Sequence, residues 1–346
     1  MPSQLVTIHD VAKAAGLSKT TVSAALTGNG RLSEATRDLV LREAEKLGYD
    51  ANPHAQGLRG RRSKEIGFFS PDIDLGVSTL KAQAIGRFLN ERGYSVPISA
   101  YTNREGGAFT AQEKLIASMR RQKMRAVICN TLNLHGERAL AELRAYLEEG
   151  GVAVCFDFPL EIECDAVIFD REHNTYLAAR HLVENGHREI GLCVPNTLHS
   201  RAPRIAGFQR ALGEFGVEAC EEWIVSVPYN IEAEREGQTL ARWFLELPQK
   251  PTAMCIVNDI VALTFAALLG REGIRVPEDL SLVGHDNRTL SELGTLPLSS
   301  VSHPIEDIAL SVVEMLDSRL NGRYDGPPRR EIVRGQLFER ASVRPI

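Results

Sequence analysis

The stretch Thr7-Ile8-His9-Asp10-Val11-Ala12-Lys13-Ala14-Ala15-Gly16-Leu17-Ser18-Lys19-Thr20-Thr21-Val22-Ser23 reads as a short helix, a tight turn and a second helix. Thr7 with Asp10 is a first-turn capping pattern ahead of an apolar run. Val11, Ala14 and Ala15 recur at helical spacing and are expected on one buried face. Gly16 can take the left-handed conformation that ends a helix. Ser18 is placed to cap the second helix, whose expected buried positions are Val22 and Leu26. Two helices joined by so short a turn cross steeply, which lets the second enter a major groove. Capped helix pairs also occur as plain hairpins, so the pattern alone leaves both readings open.

Working outward, Ser33-Glu34-Ala35-Thr36 opens a third helix that runs to Leu47 and stops at Gly48. Tyr49 follows, then Asn52-Pro53-His54-Ala55-Gln56-Gly57-Leu58-Arg59 and the basic residues Arg61, Arg62 and Lys64. In Thr7-Ile8-x-Asp10-Val11-Ala12, Ala15-Gly16-x-Ser18-x-x-Thr21-Val22-Ser23, Leu47-Gly48-Tyr49 and Asn52…Ala55…Leu58 the chain resembles the lactose-repressor (LacI/GalR) family of bacterial transcription regulators. The resemblance implies an all-α helix-turn-helix DNA-binding domain over 1–50, a hinge helix and linker over 51–64, and an effector domain over 65–346.

Charge is distributed as that division requires. Residues 1–64 hold ten Lys/Arg and six Asp/Glu, whereas the rest holds thirty and thirty-nine, within an overall net charge of −5. A basic module on an acidic body suits a protein whose N-terminus alone meets phosphate. No charged-then-apolar leader follows Met1 and no apolar run is long enough to span a membrane, so a cytoplasmic protein without a membrane partner is expected. Cys129, Cys155, Cys193 and Cys255 lie in apolar, strand-like runs, while Cys164 and Cys220 stand alone. None has metal-ligand spacing, so buried free thiols are expected, with no metal and no cofactor.

From Ile66 onward short apolar runs alternate with helical patterns. Strands are expected at 66–69, 95–100, 126–129, 152–156, 166–169, 190–194, 224–227, 253–257 and 280–283, with amphipathic helices such as 79–92, 137–149, 174–185, 204–215 and 260–272 between them. That alternation implies parallel sheets covered on both faces, and so many strands fit two doubly wound subdomains better than one sheet. A ligand would then sit beyond the carboxyl ends of the strands, between the sheets. The resemblance continues in Gly186-His187-Arg188-x-Ile190, Arg204-x-Ala206-Gly207-Phe208, Asn258-Asp259-x-x-Ala262 and Gly273–Asp286. It implies an α/β periplasmic-binding-protein-like effector domain of two doubly wound parallel-sheet subdomains with three crossings, expected near 160, 290 and 325. The N-subdomain is then about 65–160 and 291–325, the C-subdomain about 161–290 and 326–346.

By the resemblance, Lys19, Thr20 and Ala24 occupy base-reading positions, and Leu58 is a wedge between central base pairs. Lys can donate to guanine and Thr can bond or touch a thymine methyl, while wedge insertion bends the duplex. Ser18, Thr21, Ser23, Arg31 and Arg59 are expected at phosphates. Arg204 and Asp286 match effector-contacting positions. Asn130, Asp157, Asn258 and Asp259 fall at strand ends, and Tyr229 can stack on a ring. Carboxylates facing an Arg fork suit paired hydroxyls or a nucleobase edge. Two departures stand out. Gly76-Val77-Ser78 replaces the family's usual Pro-Phe-Phe, and Thr264 stands where Gly usually follows Asn-Asp. A standard hexose pocket is therefore not implied.

The expected partners are a palindromic double-stranded DNA operator, a small-molecule effector (a sugar or related metabolite) and a second copy of the chain in a homodimer. The alternative is a ligand-independent repressor with a degenerate pocket. Inducer and corepressor action are equally compatible with the sequence. An enzyme is not expected: no G-x-G-x-x-G follows a strand, and neither a P-loop nor a G-x-S-x-G elbow is present.

Overall fold

The computed structural model describes residues 6–27, 32–47, 49, 65–71, 76–101, 108–132, 134, 136–227, 233–256 and 258–346. Gly48, the hinge segment with Leu58 and Arg59, and also Arg31 and Tyr229, lie outside these residues. The chain separates into two compact units, an N-terminal one and a larger one holding two sheets.

The first unit is three helices, α1 (Ile8–Ala15), α2 (Lys19–Thr27) and α3 (Glu34–Leu47). At the start of α1 the Thr7 N–H and hydroxyl both donate to the Asp10 carboxylate, at 2.8 and 2.7 Å. Gly16 closes α1 at φ 65°, a left-handed conformation open to glycine. The Thr21 N–H donates to Ser18 Oγ at 3.1 Å, capping α2, and the Thr36 N–H donates to Ser33 Oγ at 3.2 Å in the same way. Val11, Ala12, Val22, Ala25, Val40 and Ala44 form the core. Ala12 rather than Ala14 is the buried partner of Val11, because Ala14 falls on the exposed side of α1.

The second unit contains two six-stranded sheets. In the first, β1 (Ile66–Pro71), β2 (Ile98–Tyr101), β3 (Ala126–Asn130), β4 (Val152–Asp157), β5 (Asp165–Phe169) and β11 (Arg330–Val333) run in the order β11-β5-β4-β3-β1-β2, every pair parallel. In the second, β6 (Ile190–Pro195), β7 (Ile224–Val227), β8 (Ala253–Ile256), β9 (Ser281–Asp286), β10 (Ser299–Ser302) and β12 (Leu337–Phe338) run β12-β10-β9-β8-β6-β7, with β12 antiparallel. Successive side chains go to opposite faces and both faces are buried, as parallel strands demand. Phe68, Ile128 and Val154 point into one core, their neighbours Phe69, Cys129 and Cys155 into another. The helices are α4 (Val77–Glu91), α5 (Ala108–Arg121), α6 (Glu137–Glu148), α7 (Arg171–Glu184), α8 (Leu198–Gly213), α9 (Ala233–Glu246), α10 (Asp259–Arg271), α11 (Thr289–Leu293) and α12 (Ile305–Leu320). None in the described residues is long and apolar enough to cross a membrane.

All three crossings lie later than 160, 290 and 325. β5 pairs with β4 and stays in the first sheet, so the chain crosses after Phe169. β10 pairs with β9, moving the second crossing to His303–Pro304, and β11 pairs with β5, moving the third to 334–336. The three crossings are tied together. Asn174 donates to the Ser302 carbonyl at 3.1 Å and accepts from the Gly335 N–H at 3.0 Å, and the Gln336 N–H donates to Ser302 Oγ at 2.9 Å.

The six cysteines are free thiols, and all but Cys220 are buried. Cys164, isolated in sequence, folds to 3.4 Å from the sulfur of Cys155.

Candidate functional site

On the first unit, Lys19 and Thr20 are exposed at the start of α2, and Ala24 is half-buried. The hydroxyls of Ser18 and Thr21 lie 2.8 Å apart at the helix cap, whereas Ser23 is turned into the interior. The N-terminal end of α2 therefore presents a Lys, a Thr and two capping hydroxyls on one surface.

On the second unit, the carboxyl ends of β4, β6, β8 and β9 open onto one cleft of about 470 Å³, a size ordinary for a small-molecule site. Asp157 ends β4 and Asp286 ends β9, and both have φ of 100°. A non-glycine residue there is held against its own backbone preference, at a cost of about 1–3 kcal/mol, and such residues gather at ligand sites. Each sheet thus offers one strained carboxylate to the same cleft.

Their electrostatics differ. Asp157 is 2% exposed, with one oxygen paired to Lys81 and the other 2.7 Å from the Arg171 guanidinium. Burial pushes its carboxyl up, but Lys81 and Arg171 outweigh burial and hold it well below the usual carboxylate range. Asp286 has no comparable cation. Burial first, and then the neighbouring Asp259 carboxylate, push it well above the usual range. Asn258 donates to Asp286 at 3.3 Å, while its own side-chain oxygen caps α10 by accepting from Ile260 N at 2.8 Å. Arg204 lines the cleft from α8, braced on Ser200. His303, at the second crossing, stacks on Phe169 with centroids 3.9 Å apart and lies 3.8 Å from Asp286. Burial, and then Lys81, hold its imidazole well below its ordinary value, so it is neutral.

Residues 7–52 match the model for bacterial regulatory proteins of the lacI family, and residues 179–343 match that for a periplasmic binding protein-like domain. The chain is 30% identical over 342 residues to the HTH-type transcriptional repressor PurR of Escherichia coli O139:H28, covering 98% of this chain and 97% of that protein. The chain belongs to the lacI family. It is also 31% identical over 308 residues to the HTH-type transcriptional regulator DegA of Bacillus subtilis (strain 168), with 87% and 88% covered. Among solved structures, the lac repressor dimer bound to operator and the anti-inducer ONPF aligns over 99% of this chain and 100% of that one, at TM-score 0.83 and 25% identity. As a lacI-family member the chain is a transcription regulator with a DNA-binding helix-turn-helix and a two-subdomain effector domain.

Within this lacI-family framework, the cleft brings together Asp157, Arg204, Asn258 and Asp286 of the expected effector residues. Asn130 and Asp259 do not line it. Asn130 is wholly buried and its side-chain oxygen accepts from Leu132 N at 2.9 Å, closing the turn after β3. Asp259 accepts from Ser291 Oγ at 2.6 Å, Ser300 Oγ at 2.7 Å and Arg288 N at 2.9 Å, fastening α10 to β10 and α11. Sequence reasoning missed Lys81, Arg171 and His303. Lys81 falls on a helix whose other charges are solvated, and only the sheet register places its ammonium beside Asp157. Thr264, the departure after Asn-Asp, is explained by packing: it fills the space over Gly237 on α9, where any Cβ would collide with it.

Proposed function

We propose that this chain is a homodimeric, ligand-controlled repressor of transcription. It binds a two-fold-symmetric operator through α2 and the hinge segment, and it answers to a sugar or related metabolite in the cleft. On the DNA side, Lys19, Thr20 and Ala24 read base edges, Leu58 wedges the centre of the operator, and Ser18, Thr21, Arg31 and Arg59 meet phosphates. Ser23, being buried, is left out of that set. On the effector side, Asp286 and Asn258 receive hydroxyls, Arg204 donates from α8, and Tyr229 supplies a stacking surface. Asp157 acts through the cations that it orients.

The observation that carries this reading is the pair of aspartates at φ 100° on opposing strand ends. A ligand touching both sheets stabilises one relative arrangement of the subdomains, and that differential affinity is the coupling, typically about 1–3 kcal/mol. A ligand-independent repressor has no use for two strained carboxylates in an open cleft. The dimer reading draws support from the lac repressor, described as a dimer on its operator.

The test is thermal unfolding against a panel of sugars, sugar acids, nucleosides and polyols. Saturation at a hundred times Kd adds about 2.7 kcal/mol, a visible shift in Tm. The expected result is a shift for one ligand class that Asp286→Ala abolishes, with the same ligand changing operator affinity in fluorescence anisotropy. A ligand that shifts Tm equally in wild type and Asp286→Ala would remove the cleft from the mechanism.

A further inference from the structure

Lys81 lies in the second turn of α4, is 1% exposed, and lines the cleft. It shares a single carboxylate, Asp157, with Arg171. Among the described residues no second carboxylate pairs with either cation, so the described side chains of this wall carry one net positive charge. Arg171 is fully committed: its NH2 group faces Asp157, its NH1 group donates to the Asp157 carbonyl at 2.8 Å, and its guanidinium packs 3.5 Å from the Phe158 ring centre. Lys81 is not. An ammonium has three donors and Asp157 takes one. A buried excess charge without a counter-ion is costly, and burial already pulls the Lys81 ammonium down from its ordinary value despite Asp157.

Two further features face the same wall. α4 begins there, with Gly76, Val77 and Ser78 lining the cleft and no acidic residue in its first turn. The positive end of a fifteen-residue helix dipole therefore faces the cleft. The His303 side chain, 6% exposed and also lining the cleft, has a buried Nε2 with no hydrogen-bond partner among the described residues.

Resting on the ligand-controlled reading above, we propose that the effector is a hydroxylated carboxylic acid, a sugar acid such as a uronate or an aldonate. Its carboxylate sits against Lys81 and the start of α4, with His303 Nε2 as a further donor. Its hydroxyls face Asp286, Asn258 and Arg204. Charge decides between a carboxylate and a phosphate here. A phosphomonoester brings about −1.5 to −2 at neutral pH, more than this wall's single excess charge, while a carboxylate matches it. The replacement of Pro-Phe-Phe by Gly76-Val77-Ser78 agrees, because an anion needs backbone N–H groups rather than an apolar floor.

The experiment is titration calorimetry of the full chain with D-galacturonate, D-glucuronate and D-gluconate, each against its neutral parent sugar, and with glucose 6-phosphate. Wild type, Lys81→Met and Lys81→Arg are compared, with circular dichroism confirming each fold. The expected result is that one acid binds at least about tenfold more tightly than its parent, as a hydrogen bond to a charged group should produce. Lys81→Met lowers the acid-to-parent affinity ratio to near one, whatever it does to the affinities themselves, and Lys81→Arg keeps most of the ratio. A neutral sugar binding as tightly as its acid overturns the charge assignment and leaves ligand control standing. Binding of the phosphate but not of the acids overturns the carboxylate. Binding of no compound to folded protein overturns both readings. If Lys81→Met does not fold, the acid-to-neutral ratio on wild type and Lys81→Arg decides the question.

Discussion

Replacing Asp157 with Asn should cost the second unit about 3–5 kcal/mol at neutral pH, the range for breaking a buried ion pair from one side. The substitution keeps size and shape, and Asn tolerates positive φ as Asp does, so backbone strain at φ 100° is unchanged. What changes is charge. Lys81 and Arg171, 1% and 8% exposed, are left as adjacent buried cations. One of them keeps an amide oxygen, while the other meets an NH2 group that also donates. For a domain of this size the loss corresponds to a fall in Tm of roughly 6–20 °C, read by circular dichroism or by urea denaturation. The pH dependence is a second, independent readout. Lys81 and Arg171 outweigh burial and hold the Asp157 carboxyl below its unfolded value. Its stabilisation is therefore fully present above the unfolded pKa, about 3.9, and is lost as pH falls through the folded one. The gap between wild type and Asp157→Asn should be flat from about pH 5 to 8 and narrow only below about pH 4. A loss under about 1 kcal/mol at neutral pH would refute the reasoning, because it would mean that the two cations find water or other partners without Asp157.

Gly207→Ala should destabilise by about 1–3 kcal/mol or more, since a Cβ there drives into the Glu172 carbonyl where α8 crosses α7; an unchanged Tm would show that the helices separate freely. Lys19→Ala should relax operator sequence preference by about tenfold at one base pair per half-site, measured by binding to a set of point-mutated operators. Uniform weakening on all sequences would assign Lys19 to phosphate instead. Leu58→Ala should weaken operator binding more than binding to unrelated duplex, and equal losses on both DNAs in anisotropy titrations would remove the wedge.

The three-helix unit was legible almost residue by residue, because caps such as Thr7–Asp10 and Ser18–Thr21 are local and leave local marks. The sheets were legible where both faces are buried, as at Ala126–Asn130 and Ile190–Pro195. β10 was not. Ser299-Ser300-Val301-Ser302 has no apolar run, and it is a strand because its hydroxyls find partners: Ser300 on Asp259 at 2.7 Å, Ser299 on the Arg340 carbonyl at 3.2 Å. The crossings were misplaced for a related reason, since which sheet a short strand joins is decided by its neighbour in space. In the site, the strand-end residues Asp157, Asn258 and Asp286 were readable from position. Lys81 was not, because a lysine's role depends on what its long stem can reach.

The knot of hydrogen bonds at Asn174, Ser302, Gly335 and Gln336 has a mechanical consequence. Three chain segments pinned side by side should favour rotation about a single axle over free swivelling of the two halves of the effector domain. Under the ligand control proposed above, occupancy of the cleft would be converted into an angle instead of a general loosening. An angle, unlike a change in stiffness, alters the distance between points fixed to the two halves, and distance is what a target of two half-sites at fixed spacing can measure.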